Sequence, residues 1–99
     1  MPDPRTPIHT GEILGDELRE IGIAGTELAH QLKVPENRIT QIVAGKRSIT
    51  ADTALRLGKW FGTTPAFRPN LQKSYELRKA EIEIGTEIDA IPARKKEPA

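Results

Sequence analysis

The sequence predicts an all-α fold of five helices with a short C-terminal helical extension. Three observations lead there: apolar residues recur at spacings of three, four and seven, the segments they define begin at capping residues and end at glycines, and the chain is short. At 99 residues there is room for one domain, whose small core gives only modest stability, so association with a second copy would help.

Residues 1–9 hold three prolines and no periodic apolar pattern, which reads as an extended, flexible arm. The first helix starts near Thr10, taken as its N-cap, with Glu12 and Asp16 near the N-terminus, an apolar stripe of Ile13, Leu14, Leu18 and Ile21, and an end at Gly22. A second runs from about Gly25 to Leu32 with Leu28, Ala29 and Leu32 inward. A third runs from Pro35 or Glu36 to Ala44 with Ile39 and Ile42 inward, closed by Gly45.

Thr50 caps a fourth helix, which carries Ala54, Leu57 and Phe61 and closes at Gly62. Thr64-Pro65 reads as a cap and first-turn proline for a fifth, in which Leu71, Tyr75 and Arg78 continue the pattern to about Glu83. Pro69 stands inside that pattern, where a missing amide and a ring clash cost about 3 kcal/mol, so a kink or restart is expected there. Ile84, Ile88 and Ile91 then define a short amphipathic helix stopped by Pro92, and the charged tail beyond is expected to be disordered. The domain proper is placed at residues 10–84 and the extension with its tail at 85–99.

Composition excludes several function classes. With no cysteine and only His9 and His30, disulfide frameworks, thiolate metal sites and imidazole clusters are out, so no metal or cofactor is expected. No apolar stretch approaches a membrane span or secretory signal, which suggests a cytoplasmic protein with no membrane partner. Neither histidine has a nucleophile or ligand at readable spacing, so an enzyme is not expected. The net charge of +1 and pI near 8.1 draw no polyanion to the molecule as a whole; attraction to phosphate needs a local basic cluster.

Such a cluster surrounds the third helix. Counting Gly25 as the first position, Leu28, Ala29, Leu32, Val34, Ile39 and Ile42 occupy positions 4, 5, 8, 10, 15 and 18, the apolar template of a helix-turn-helix. Ala29 is small where the helices cross, and Ile39 and Ile42 hold the second helix down. Lys33 stands where the turn favours glycine, because a left-handed backbone there costs other residues roughly 1 to 2 kcal/mol.

With Ile39 and Ile42 inward, the opposite face presents Glu36, Asn37, Thr40, Gln41 and Ala44. Asn and Gln can bond an adenine edge bidentately, Thr can offer a hydroxyl or methyl, and Glu can accept from a cytosine amine, so Glu36, Asn37, Thr40 and Gln41 are candidate base-contacting residues. Lys33, Arg38, Lys46 and Arg47 form a basic rim to which Thr26 and Ser48 add hydroxyls, a set suited to phosphate. Any one of these side chains alone is more simply a solvated helix face; their register with the apolar template favours double-stranded DNA. Trp60, Phe61, Phe67 and Tyr75 read as core and interface rather than a base-stacking patch. Ile82, Ile84, Ile88 and Ile91 form a stripe that must cover the core, pair with a second subunit or receive a partner. Phe67, Leu71, Tyr75, Ile84 and Ile88 are the candidate dimer interface.

The segments IHTGEILGDEL, TELAHQLKVPENRITQIVAGKRSITADTALRLGKWFGTTPAF and NLQKSYELRKA, within residues 7–91, resemble the HigA/VapI antitoxins, a branch of the lambda-repressor-like Xre/Cro helix-turn-helix proteins. The block GKRSITADTALRLGKWFGTTP followed by NLQKSYEL is the more specific part. The resemblance implies a five-helix dimeric antitoxin that binds a HigB-like toxin, a RelE-like mRNA-cleaving ribonuclease, and represses the shared operon at a palindromic operator. The family's base-contacting positions fall on Glu36, Asn37, Thr40 and Gln41, and its phosphate-contacting loop on Lys46, Arg47 and Ser48. Three departures stand out: Thr10 replaces a proline, Ala24 a serine cap, and Arg68-Pro69 an aromatic-aliphatic pair, where a looser subunit contact is expected. The alternative within the same class is a stand-alone, phage-type repressor without a toxin; an interaction module that has lost DNA binding is the alternative outside it.

Overall fold

Five helices account for the regular structure of the computed structural model, which describes residues 7–94. Residues 1–6 of the expected arm (1–9) and residues 95–99 of the expected charged tail (93–99) lie outside the described residues. In order the helices are α1 (Thr10–Ile21), α2 (Gly25–Leu32), α3 (Glu36–Val43), α4 (Ala51–Phe61) and α5 (Phe67–Asp89).

One core joins the first four. Leu14 and Leu18 of α1, Leu28, Ala29 and Leu32 of α2, Ile39 and Ile42 of α3, and Ala54 and Leu57 of α4 are all buried, with Val34 and Ile49 closing it from the loops. Each large aliphatic side chain removed from water contributes roughly 1.5 to 3 kcal/mol, so this cluster is the main source of stability. Ile21, expected in the inward stripe of α1, is exposed, because α1 ends there and the chain turns away at Gly22 with φ 74°.

The approach of α1 to α3 demands a glycine. A Cβ on Gly11 would collide with the carbonyl oxygen of Ile42, a backbone atom that cannot swing aside. The cap of α1 also lies one residue earlier than expected. Thr10 is the first helical residue and fully buried, and the cap is His9, whose Nδ1 accepts from the Gly11 amide at 2.9 Å. The His9 ring meets Tyr75 edge to face at 4.9 Å, which ties the start of α1 to α5.

The start of α5 corrects two expectations. Thr64-Pro65 does not cap it: the Thr64 carbonyl accepts from the Phe67 amide in a turn, and the helix begins at Phe67 with Ala66 as N-cap. Pro69 is then the third helical residue, in a first turn whose amides have no intrahelical partner, so it produces no kink. Arg68 beside it is only 2% exposed. Its guanidinium donates two hydrogen bonds of 2.9 Å to Glu17 of α1 and lies 4.3 Å from the centre of the Phe61 ring. Arg68, at the departure that suggested a looser subunit contact, fastens α5 to α1 and α4 within the chain.

The helix break appears further along. Ile84 leaves helical geometry (φ −126°, ψ 17°), at the boundary where the sequence separates the fifth helix from its extension, and helical hydrogen bonding resumes to Asp89.

Candidate nucleic-acid interface

The turn between α2 and α3 uses three residues. Lys33 adopts the left-handed conformation (φ 62°, ψ 44°), as expected of the position where glycine is usual, and its amide and that of Val34 donate to His30 and Ala29 carbonyls at the end of α2. Pro35 then sets the entry to α3. With Ala29, Ile39 and Ile42 fully buried at the crossing, the orientation of α3 is determined by packing, and its outward face follows.

Asn37, Thr40, Gln41 and Ala44 are all exposed on that face. Thr40 lines a cleft of about 290 Å³ with Gly25 and Ala24 at the start of α2, so the N-terminus of α2 and its Thr26 lie beside the face. The basic loop adjoins its other end: the Lys46 amide donates to the Gln41 carbonyl at 2.8 Å, and Lys46, Arg47 and Ser48 are exposed. Lys33 is exposed at the turn. Neutral hydrogen-bonding side chains are thus bordered by cations and hydroxyls, an arrangement that can address base edges and phosphates together.

Two expected members occupy different settings. Glu36, at the edge of the face, is hydrogen-bonded to His30 Nε2 at 2.9 Å. Arg38 turns toward α4 and pairs with Asp52 at 2.6 Å, so among the rim cations it is already committed within the chain. Asp52 also takes Arg56 Nε at 3.1 Å, and Arg56 donates to the Leu32 carbonyl at 2.8 Å, closing a network over the end of α2. Local sequence explains Asp52 only as a favourable charge in the first turn of α4; its partner lies 14 residues away, beyond helical periodicity.

Gln72 was missed altogether. From α5 its Oε1 accepts the Ile49 amide at 2.6 Å and its Nε2 donates to the Ile49 carbonyl at 3.5 Å, immediately after the basic loop. It falls within the NLQKSYEL segment that carries the resemblance, but its partner is 23 residues away and no helical spacing points to it.

Of the candidate dimer residues, Phe67, Ile84 and Ile88 are exposed, Leu71 is half-buried, and Tyr75 is half-buried against His9 of its own chain. Leu77, Ala80, Ile84 and Ile88 line one groove along α5. No described helix is long and apolar enough to cross a membrane.

No protein-family model matches the chain. It is 47% identical over 75 residues to virulence-associated protein I of Dichelobacter nodosus, covering 75% of this chain and 69% of that protein. A solved addiction-module antidote protein of the HigA family from Coxiella burnetii superposes with a TM-score of 0.85 at 48% identity, covering 90% of this chain and 98% of that one. The chain belongs to the HigA family of antitoxins. Another similar structure is the Pseudomonas aeruginosa antitoxin HigA with higBA promoter, at a TM-score of 0.81 and 44% identity over 87% of this chain and 96% of that one. The match of this HigA-family chain to both structures extends well beyond Gly25 to Ile42, over which the helix-turn-helix template is counted, and agrees with the resemblance read within residues 7–91.

Proposed function

We propose that this chain is a sequence-specific DNA-binding antitoxin that represses its own operon and neutralises a HigB-like toxin, a RelE-like mRNA-cleaving ribonuclease. The observation that carries the DNA half is the exposed, uncharged face of Asn37, Thr40 and Gln41, bordered by Lys33, Lys46 and Arg47. Asn37 and Gln41 read base edges, Thr40 assists, and Glu36 contributes at the margin if it exchanges His30 for a cytosine amine. Lys33, Lys46, Arg47, Ser48 and Thr26 hold phosphates; Arg38 braces α3 against α4 and reaches phosphate only by releasing Asp52.

Two copies joined through α5 present two α3 helices to successive major grooves of a palindrome, and repression follows from occlusion of the promoter. Exposed Ile84 and Ile88, on a groove with Leu77, support the pairing of α5 with a second subunit. The promoter found with the Pseudomonas aeruginosa relative supports operator binding, and family membership supports the toxin partner.

A titrated mobility shift on the chain's own promoter fragment and on a scrambled duplex, at several salt concentrations, tests the assignment. Gln41→Ala should lower specific affinity by about 5- to 150-fold and leave scrambled binding unchanged, whereas Arg47→Ala should weaken both and reduce the salt slope by about one. Equal loss on both duplexes for Gln41→Ala removes it from base reading.

A further inference from the structure

The loop over residues 46–48 is held at two ends. At the first, the Lys46 amide is tied to α3 through Gln41; at the second, Ile49 is only 5% exposed and both its backbone groups face the Gln72 amide. Between these ties Arg47 and Ser48 project outward, and neither Lys46 nor Arg47 makes an ion pair among the described residues. Across a cleft of about 350 Å³ from this loop lie Tyr75, Glu76, Lys79 and Glu83 of α5, so the loop borders the helix that carries Gln72.

We propose that Gln72 is a positioning residue for phosphate binding, which holds the basic loop in its DNA-ready conformation from α5. This rests on the operator-binding reading above. A backbone ordered in advance does not have to be ordered at the moment of binding, and each residue so held spares the complex a conformational-entropy cost. A primary amide fits this role, since it supplies an acceptor for the Ile49 amide and a donor for its carbonyl at once, which an acceptor-only carboxylate cannot do. Because Gln72 stands on α5, the proposed dimer helix, anything that displaces that helix also reaches the phosphate-binding loop.

The test combines amide hydrogen exchange with duplex binding, on the full chain and on Gln72→Met, which keeps the length of the side chain and removes the clamp. In the wild type the Ile49 amide should exchange as slowly as the amides of α3. In Gln72→Met it should exchange at least about tenfold faster, with α2 and α3 unchanged, and affinity should fall about tenfold on operator and scrambled duplex alike. Base preference should stay constant, since the outward face of α3 is untouched. Rapid exchange of Ile49 in the wild type overturns the assignment without recourse to a variant. So does a folded Gln72→Met chain that binds operator within twofold of wild type. If the wild type binds no operator while Ile49 stays protected, the repressor reading fails and the assignment to phosphate binding fails with it, leaving the clamp as a structural contact.

Discussion

Arg68 shows how far a residue's meaning depends on a partner that the local sequence does not display. Beside Pro69 it reads as a charge in an apolar position. Its partner Glu17 is 51 residues distant, and together with the Phe61 ring it turns that charge into a fastening between α1, α4 and α5. Removing one member of a buried pair leaves the other desolvated and unmatched, so Glu17→Ala should lower stability by about 3 kcal/mol, whereas Arg68→Met with Glu17→Met should lose markedly less. Urea unfolding at one fixed protein concentration measures both; equal losses would mean that leaving Arg68 unpaired carries no penalty of its own. Lys33 is the opposite case, because its left-handed backbone was legible from the template position alone. Asn37, Thr40 and Gln41 were legible for a similar reason: once Ile39 and Ile42 are inward, helical geometry dictates what faces out.

At the scale of the element, α1 to α4 followed from apolar spacing, capping residues and closing glycines, with ends displaced by one residue or so, as at Thr10. The last helix was harder. A proline is read as a breaker unless its place in the helix is known, and the turn at Thr64 that puts Pro69 in the first turn of α5 is not distinguishable in sequence from a cap. The departure at Ile84, next to Gly85, divides α5 where the apolar pattern changes register. Beyond it, exposed Ile84 and Ile88 face a groove that the single chain leaves uncovered. Ile84→Glu with Ile88→Glu should raise the dimer dissociation constant at least about 100-fold, with the helix-turn-helix still folded. Light scattering across a concentration series would follow the dissociation, and an unchanged mass would move the subunit contact elsewhere.

The described residues span 53 × 37 × 20 Å, with the helix-turn-helix in the core-bearing part and α5 extending from it through the Arg68, Tyr75 and Gln72 contacts. Its +1 net charge does not announce a DNA-binding protein, because acidic residues elsewhere balance the local basic rim; the arrangement around α3 carries that information instead. Two such molecules joined through α5 would have to present their third helices about one DNA turn apart, roughly 34 to 36 Å. The most direct measurement is hydroxyl-radical footprinting of the wild-type chain on the promoter fragment upstream of its own reading frame. The account predicts two protected patches whose centres lie about 10 to 10.5 base pairs apart, symmetric about a palindrome, both lost in Gln41→Ala at concentrations that saturate the wild type. A single patch, or uniform protection without a palindrome, would contradict it.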